Sequence, residues 1–218
     1  MDVSTLFDVK DKVVLVTGGA KGIGRMISEG FVANGARVYI SSRDAKACDQ
    51  ACEELNALGK GKAYAIPANF YREEDCKRLA EELGKREDTP NPLLEKGASP
   101  SSPSRIINIG SVDGLRVPAL ETFAYSASKA GLHHLSRVLA NHLGRRNITS
   151  NTLACGPFES KMMAATLKKY KSHIEGNIPL RRIGTPEDVA GACLFLASRA
   201  GAYVNGATIA LDGEFGEC

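Results

Sequence analysis

The feature that most constrains this chain is a continuous apolar run that leads directly into a glycine-rich turn. Residues 12–16 read KVVLV, and residues 17–24 read TGGAKGIG. A strand whose side chains are apolar without alternation is typically buried on both faces, as in a parallel sheet. Helical spacing of apolar residues follows from Arg25 to Asn34, and Gly35 supplies a C-cap. The chain therefore opens with a strand–turn–helix unit of a parallel α/β fold.

The alternation of strands and helices continues after this unit. Strands are predicted at residues 37–41 and 62–66, and helices at residues 44–58 and 72–83. This order is typical of a doubly wound parallel sheet with right-handed crossovers. The predicted fold is therefore α/β and Rossmann-like, with three layers in the order α/β/α.

The second half of the chain resumes the pattern after an interruption. Residues 86–104 contain four prolines and no periodic element, so we interpret them as a loop. The strands predicted beyond it are 105–109, 147–153 and 207–211, and the helices are 123–143 and 185–197. No internal repeat and no boundary isolates a second domain, so a single domain is predicted over residues 1–218.

Composition and charge exclude several classes of protein. The formal net charge is +3, from 28 basic and 25 acidic residues, without the basic clusters that a nucleic-acid interface needs. The apolar run near the start is far shorter than the ~20 residues of a membrane-spanning helix, and residues 1–4 do not resemble a secretory signal. We therefore expect a cytoplasmic protein that binds neither nucleic acid nor a membrane.

The cysteines and histidines indicate no metal site. The six cysteines form no Cys-x-x-Cys pair and no zinc-type grouping with histidine, and we interpret them as reduced thiols. The four histidines have no acidic or cysteine partners at ligand spacing. His133 and His134, on the helix predicted at 123–143, are expected at the surface or in an interface. No metal is predicted.

The glycine-rich turn is a candidate phosphate-binding site. Gly18, Gly22 and Gly24 lie between a buried strand and a helix, which is the context in which such a motif binds a pyrophosphate. Glycines let backbone N–H groups approach the phosphates, whose charge the helix N-terminus stabilises. The alternative is a tight turn that binds nothing.

The end of the second predicted strand bears on the choice of cofactor. It reads Ser41-Ser42-Arg43-Asp44. A carboxylate here bonds the ribose 2′-hydroxyl of NAD, whereas an arginine accommodates the 2′-phosphate of NADP. Arg43 and Lys21 of the glycine turn favour NADP, and we interpret Asp44 as a helix N-cap. The alternative is that Arg43 is an ordinary solvated side chain.

A serine, a tyrosine and a lysine form the most specific pattern in the chain. Tyr125 and Lys129 are four residues apart and therefore share one face of a helix. Ser111 follows the strand predicted at 105–109, and open α/β sheets bind ligands at the carboxyl ends of their strands. A nearby ammonium group would lower the pKa of Tyr125 and make it an acid–base group, although this spacing alone is usually a surface pair.

Together these motifs resemble the short-chain dehydrogenase/reductase superfamily. The resemblance covers residues 12–88 and 92–213, with TGGAKGIG at 17–24, GS at 110–111 and YSASK at 125–129. It implies an NAD(P)-binding Rossmann-fold domain and an enzyme that transfers hydride between nicotinamide and a carbonyl or secondary alcohol. The predicted function is therefore that of an NADP-dependent carbonyl reductase or alcohol dehydrogenase.

The resemblance also assigns roles to individual residues. Tyr125 is implied as the catalytic acid/base, Ser111 as the group that polarises the carbonyl, and Lys129 as the residue that binds the nicotinamide ribose and lowers the pKa of Tyr125. The cofactor-binding residues that it implies are Gly18, Lys21, Gly22, Ile23, Gly24, Ser42, Arg43, Asn69, Tyr125, Lys129, Gly156 and Ser160. Asn69 stands where the family usually has an aspartate, and Cys155 stands where it usually has a proline. We interpret Cys155 as a packing thiol.

Within the family, residues from 105 through the tyrosine helix are most similar to the ketoacyl-reductase branch, which includes bacterial rhamnolipid-pathway reductases. A 3-oxoacyl or polyketide-like substrate is therefore expected. Two alternatives remain open. One is a catalytically impaired truncated or splice form that at most binds NADP. The other is an NADP-binding sensor or interaction protein.

One β–α unit of the family pattern is missing. Family members carry a further strand, ending in Asn-Asn-Ala-Gly, and a long helix before the strand that leads to the catalytic serine. Residues 71–104 are too few for both, because a strand with its crossover helix needs ~30 residues and one helix already occupies this interval. We expect the unit to be absent near residues 88–92.

Two arrangements would accommodate this loss. In the first, residues 105–153 move as a block and the strand at 105–109 takes the vacant place beside the strand at 12–16. This displaces Ser111, Tyr125 and Lys129 relative to the glycine turn by about 4.8 Å, one strand spacing. In the second, residues 105–153 keep their place and leave a gap in the sheet with unpaired strand edges.

The missing helix also bears on assembly. The resemblance implies a homo-oligomer in which that helix and the tyrosine helix build the dimer interface. Without that helix, four leucines would lose the element that packs on them, and altered assembly or aggregation is expected. They are Leu132, Leu135, Leu139 and Leu143.

Overall fold

The apolar run near the start of the chain forms the first strand of a parallel sheet, as its unalternating pattern predicts. The structure is a computed structural model and describes residues 2–89, 92–118, 120–161 and 163–214. The chain divides into two units, of which the first comprises Met1–Gly97 with Val189–Ala200 and the second Ala98–Asp188 with Gly201–Cys218.

The first unit contains a parallel sheet in the order β1-β2-β3. Its strands are β1 (Val13–Thr17), β2 (Arg37–Ser41) and β3 (Lys62–Ala65). Its helices are α1 (Val3–Leu6), α2 (Gly22–Ala33), α3 (Ala45–Asn56), α4 (Glu73–Arg86) and α5 (Leu93–Lys96). Because β2 is the middle strand, its apolar side chains are buried, and Tyr39 packs with Leu79 and Leu83 of α4 in the core.

The second unit contains a parallel sheet in the order β4-β5-β6. Its strands are β4 (Ser104–Ser111), β5 (Ile148–Cys155) and β6 (Thr208–Leu211), and its helices are α6 (Phe123–Leu143) and α7 (Ala164–Gly176). All eight residues of the middle strand β5 are buried, and α6 packs on β4 and β5. The last helix, α8 (Pro186–Ala197), has its first three residues in this unit and the others in the first.

The predicted α/β alternation is confirmed, with shifts at the ends of elements. Helix α2 begins at Gly22, three residues before its predicted start, so the last three residues of the glycine-rich segment belong to the helix. Helix α5 lies inside the predicted loop at 86–104, and neither α1 nor α7 is predicted from the sequence. Helix α6 has its predicted bounds.

The two arrangements for the missing unit differ in the strand that lies beside β1. Among the described residues, β1 is hydrogen-bonded to β2 within the first unit, and β4 to β5 within the second. Both arrangements stay predictions, and residues 90 and 91 of the expected junction lie outside the described residues.

The four leucines of α6 are covered unequally. Leu135 is 50% exposed, whereas Leu132, Leu139 and Leu143 are half-buried. The single domain and the altered assembly stay predictions.

Candidate active site

The glycine-rich turn joins β1 to α2 through residues that need the freedom of glycine. Gly18 has a φ angle of +71° and Gly22 one of +56°, in the left-handed region that favours glycine. A Cβ atom at Gly24 would collide with the carbonyl oxygen of Gly18. Ile23 lies half-buried in the first turn of α2. The turn therefore brings partly exposed backbone to a helix N-terminus, which suits a pyrophosphate.

Ser28 supports this turn and is absent from the sequence predictions. Its hydroxyl group is fully buried and lies 2.9 Å from the carbonyl oxygen of Gly24 and 3.2 Å from that of Gly19, within donating distance of both. A Cβ atom at Gly19 would lie 2.8 Å from the Ser28 oxygen, so the two residues pack closely. The signal in the sequence is a small polar residue on the buried face of α2, one turn after Gly24.

Lys21 of the turn is paired with Asp44 at the start of α3. Lys21 Nζ lies 3.0 Å from Asp44 Oδ2, and both side chains are more than half exposed. Asp44 Oδ1 accepts the N–H of Ala47 at 3.1 Å, so the predicted N-cap is confirmed. The pKa of Asp44 is lowered mainly by the hydrogen bond from the Ala47 N–H, and to a smaller extent by Lys21. A 2′-phosphate would therefore compete with an existing anionic partner of Lys21.

Arg43 lies over the ring of Tyr71, which the sequence predictions do not include. The guanidinium carbon is 5.6 Å from the ring centroid, within cation–π range, and Tyr71 is 87% exposed. Asn69 Oδ1 accepts the N–H of Tyr71 at 3.2 Å and so shapes the segment after β3. The hydroxyl oxygen of Ser42 lies 3.1 Å from the Cys48 sulfur. Arg43, which follows β2, is therefore in contact with an exposed residue of the segment that follows β3.

In the second unit, Ser111 is the last residue of β4. It is 6% exposed, and its hydroxyl oxygen accepts the N–H of Asp113 at 3.2 Å. It pairs in register with Cys155, the last residue of β5. Ser111 therefore lies at the carboxyl end of its strand, as predicted. Burial raises the pKa of Cys155 to about 11 although the charge of Lys129 opposes this, which agrees with a packing thiol.

Tyr125 and Lys129 lie one turn apart on α6. Lys129 Nζ is 5.5 Å from the centroid of the Tyr125 ring and donates to the carbonyl oxygen of Ile109 at 2.9 Å. Because Ile109 precedes Ser111 by two residues on β4, this hydrogen bond ties the lysine to the strand that ends in Ser111. Burial lowers the pKa of Lys129. Tyr125 is 37% exposed, so its side chain is accessible to a ligand.

A polar network absent from the sequence predictions holds α6 on the sheet. Asn108 Nδ2, on β4, lies 3.0 Å from the Ser136 hydroxyl of α6 and 3.2 Å from the Ser150 hydroxyl of β5. The two hydroxyl oxygens, both buried, are 3.0 Å apart. The network fixes α6 against both strands, and with it Tyr125 and Lys129. The signal in the sequence is a polar residue inside each apolar strand.

His133 is buried, and its predicted place at the surface or in an interface is wrong. It is 2% exposed, whereas the adjacent His134 is exposed as predicted. Consecutive residues of a helix point about 100° apart, so the two face different surroundings. The His133 ring lies against Gly110 and Gly114, where a Cβ atom would collide with it. The missing side chains of these two glycines make room for the ring.

Gly156 and Ser160 follow β5. The N–H of Gly156 donates to the carbonyl oxygen of Leu211 at 3.0 Å, and a Cβ atom at Gly156 would lie 2.7 Å from that of Asp212. Glycine therefore permits the close approach of the segments that follow β5 and β6. The hydroxyl oxygen of Ser160 accepts the N–H of Met163 at 3.2 Å.

Among the described residues, no group of three or more His, Cys, Asp or Glu side chains could hold a metal ion. The helices within the described part of the chain include none with both the length and the hydropathy needed to span a membrane.

Two family models match the chain and meet at adjacent residues. The model described as short chain dehydrogenase matches residues 12–90, and the model described as enoyl-(acyl carrier protein) reductase matches residues 91–215. Their boundary falls inside the junction at 88–92.

Characterised relatives align over nearly the whole chain. The rhamnolipids biosynthesis 3-oxoacyl-acyl-carrier-protein reductase of Pseudomonas aeruginosa is 36% identical over 252 residues, with 96% of this chain and 98% of the relative covered. A galactitol 2-dehydrogenase (L-tagatose-forming) of Cereibacter sphaeroides is 28% identical over 252 residues, with 99% of each covered. Since this chain has 218 residues, at least 34 positions of each alignment hold no residue of it.

Solved structures share the fold and confirm the Rossmann-like α/β prediction. The Pseudomonas aeruginosa RhlG/NADP active-site complex has a TM-score of 0.89 at 35% identity and covers 97% of this chain and 98% of its own. A 7α-hydroxysteroid dehydrogenase complexed with NADH and 7-oxo glycochenodeoxycholic acid has a TM-score of 0.87 at 25% identity, with 98% and 97% covered.

Proposed function

Because the chain belongs to the short-chain dehydrogenase/reductase superfamily, we propose that it is an NADP(H)-dependent oxidoreductase. It interconverts a carbonyl group and a secondary alcohol on a small molecule. The observation that carries this proposal is the hydrogen bond from Lys129, one turn after Tyr125 on α6, to the strand that ends in Ser111. Acid–base and polarising groups of the kinds that carbonyl reduction needs are thus held on one packed helix–strand pair.

The three residues have distinct parts in the reduction. Tyr125 donates its phenolic proton to the carbonyl oxygen as the hydride reaches the carbonyl carbon, and the phenolate is left behind. The ammonium group of Lys129 stabilises that phenolate. Because the Ser111 oxygen already accepts the N–H of Asp113, its hydroxyl hydrogen can be directed to the carbonyl oxygen and polarise the bond. In alcohol oxidation each proton moves in the opposite direction.

The residues of the first unit fit the phosphates of NADP. Gly18 is exposed and Gly22 and Gly24 are half-buried, and a side chain at Gly24 would disrupt the turn that they form. Lys21 and Arg43 supply the cations that a 2′-phosphate needs. The bound cofactor supplies or accepts the hydride. The other residues that we assign to it are Ile23, Ser42 and Asn69 of this unit and Tyr125, Lys129, Gly156 and Ser160 of the second.

A 3-oxoacyl group or a related polyketide chain is the proposed substrate. The relative that is 36% identical is named for reduction of a 3-oxoacyl group. The segment between Ser111 and Tyr125 exposes four large apolar side chains, which suits an acyl chain. They are Leu115, Val117, Leu120 and Phe123, which are 48%, 93%, 64% and 77% exposed.

We also propose that this chain lacks one β–α unit of its family at residues 88–92. Two observations support it: the family models meet at residues 90 and 91, and the alignments with relatives are longer than the chain. This favours a second candidate function, in which the chain binds NADP without turnover. Intact-mass measurement of the natural protein, with sequencing of its transcript, tests whether residues 88–92 join as written.

The first experiment is a turnover assay with a matched binding assay. NADPH oxidation is followed with 3-oxoacyl thioesters and a panel of ketones, and NADPH binding is measured by calorimetry on the same preparation. We expect ketone-dependent oxidation that falls by about 10²–10⁴-fold in Tyr125→Phe. Turnover unchanged in that variant would contradict the proposed mechanism. Binding of NADPH without turnover on any substrate would favour the second candidate.

We propose a cytoplasmic location, which the free thiols of Cys48, Cys52, Cys76 and Cys155 support. We also propose that assembly differs from that of full-length relatives, because Leu135 is half exposed on α6. Size-exclusion chromatography that gives a well-defined tetramer would contradict the second proposal.

A further inference from the structure

His133 contacts Ser111 and has no part in the mechanism above. Its Nε2 atom lies 3.4 Å from the backbone nitrogen of Ser111, which donates to it. The ring is 2% exposed and packs against the backbone on both sides of Ser111, since a Cβ atom at Gly114 would lie 2.9 Å from Cε1 and one at Gly110 would collide with Nε2. His133 follows Lys129 by one helical turn, so α6 carries it to the same strand end.

We propose that His133 is a positioning residue that accepts the Ser111 N–H and thereby holds the Ser111 hydroxyl group where a substrate carbonyl would receive it, an inference that rests on the proposed function. The hydrogen bond and the packing act together. The ring fills the space that two glycines leave, and its Nε2 atom accepts from a buried backbone donor.

The hydrogen bond determines the protonation state of the ring. Nε2 can accept only when it carries no proton, so the imidazole is neutral with its proton on Nδ1. Nδ1 is itself buried and has no hydrogen-bond partner among the described residues. The pKa of His133 is lowered mainly by burial, and to a smaller extent by the charges of Lys129 and Arg137. All three causes favour the neutral, accepting form.

Cations dominate the electrostatic surroundings of the ring. The groups that act on the pKa of His133 are Lys129 and Arg137, both on α6. The further charged or titratable groups on elements packed against α6 are Arg105 on β4, Asp113 on the turn after β4, Cys155 on β5, and Arg145 and Arg146 on the turn after α6. Burial raises the pKa of Asp113 and that of Cys155, and neither residue is among the groups that act on the pKa of His133.

Protonation of His133 would displace Ser111. An Nε2–H group would face the Ser111 N–H, donor against donor, and a buried imidazolium would lie one turn from the half-buried ammonium group of Lys129. A shift of about 1 Å in a group that contacts the reacting atoms can cost on the order of 100-fold in rate. The rate of carbonyl reduction should therefore fall as the pH drops through the pKa of His133. The reduction direction is the one to assay because Tyr125 is the proposed proton donor there.

Three variants distinguish the effect of the hydrogen-bond acceptor of His133 from the effect of its bulk. His133→Gln keeps an acceptor near the position of Nε2 and does not titrate, His133→Leu keeps apolar bulk without an acceptor, and His134→Gln changes the exposed neighbour as a control. We expect kcat of carbonyl reduction to fall on the order of 100-fold in the leucine variant and to stay within about tenfold of wild type in the glutamine variant. The fall in kcat at low pH should disappear in His133→Gln and persist in His134→Gln. A fall in kcat at low pH that is unchanged in His133→Gln would overturn the proposal.

A titration without substrate distinguishes failure of this inference from failure of the proposed function. The amide resonance of Ser111 and the imidazole nitrogens of His133 are followed by NMR against pH in the wild-type protein, so no variant needs to fold. We expect an Nδ1–H tautomer at neutral pH and a Ser111 amide shift that follows the His133 titration. A Ser111 amide shift that does not change as His133 titrates overturns the inference, whether or not the protein turns over substrate. A coupled titration in a protein without turnover would support the His133 contact and count against the proposed function alone.

Discussion

Lys129 donates from its ammonium group to the carbonyl oxygen of Ile109 at 2.9 Å, which joins α6 to β4 two residues before Ser111. The same ammonium group lies 5.5 Å from the centroid of the Tyr125 ring. One side chain therefore bridges the helix that carries the proposed acid and the strand that carries the proposed polarising group. Its position depends on backbone geometry, because the acceptor is a main-chain oxygen.

Lys129→Met should lower activity far more than it lowers stability. The variant keeps an unbranched side chain of similar length but removes the charge beside Tyr125 and the donor to Ile109. We expect kcat/KM for carbonyl reduction to fall by about 10²–10⁴-fold. Lys168→Met, at an exposed position on α7, is the matched control. Equal kinetics in Lys129→Met and wild type would show that the lysine has no part in the reaction.

Asp44→Asn should raise the affinity for NADPH without raising that for NADH. Asparagine keeps the N-cap oxygen that accepts the Ala47 N–H but releases Lys21 from its ion pair. Because the pair is exposed and screened, we expect a gain of only about two- to fivefold, measured as the dissociation constant of each dinucleotide at fixed ionic strength.

Lys21→Met provides the opposite change at the same pair. It should weaken NADPH binding and leave NADH binding unaltered, because only NADPH carries the 2′-phosphate. If both Lys21 and Asp44 variants changed the two affinities in parallel, the Lys21–Asp44 pair would have no role in cofactor choice.

Gly24→Ala should destabilise the first unit and abolish the phosphate-binding surface together. The added methyl group would collide with the carbonyl oxygen of Gly18, so the turn must open. We expect a loss of about 1–3 kcal/mol in the free energy of unfolding in urea, together with NADPH affinity lowered at least about tenfold. The matched control is Gly191→Ala on α8, where the space for a Cβ atom is open and a gain of up to about 1 kcal/mol is expected. Normal NADPH binding by Gly24→Ala would remove the turn from the cofactor site.

The elements predicted correctly are those whose signals are local. β1 is a continuous apolar run, and the α8 N-terminus carries a proline and two acids in its first turn. α7 could not be predicted because only Leu167 and Ile174 of this helix are buried in the unit's core, seven residues apart. Their partners, Ile178 and Ile183, lie beyond the end of the helix, so the core that stabilises α7 is not visible in a local window.

In the candidate site, too, only the contacts with a local signal could be predicted from the sequence. Spacing places Tyr125 and Lys129 on one helical face, and the structure confirms that shared face. The burial of His133 depends on the missing side chains of Gly110 and Gly114, far from it in the chain. No periodicity on α6 identifies that contact, because a tertiary contact decides which side of the helix is buried.

Glu87, just before the expected junction, should make stability sensitive to acid. Its carboxylate accepts hydrogen bonds from Arg37 and from the Tyr39 hydroxyl, at 2.6 Å for the shortest contact with each. Burial alone would raise the pKa of Glu87, but these two hydrogen bonds outweigh it and the pKa is lowered. The stabilisation is therefore complete above the ordinary pKa of glutamate and is lost as the pH falls through the lowered value. Because Arg37 is 41% exposed, we expect Glu87→Gln to cost about 1 kcal/mol near neutral pH and progressively less in acid, measured by urea unfolding across that range. The matched control is Glu81→Gln, at an exposed position on α4, which should change stability by less than about 0.5 kcal/mol. A destabilisation by Glu87→Gln that does not shrink in acid would contradict the assignment.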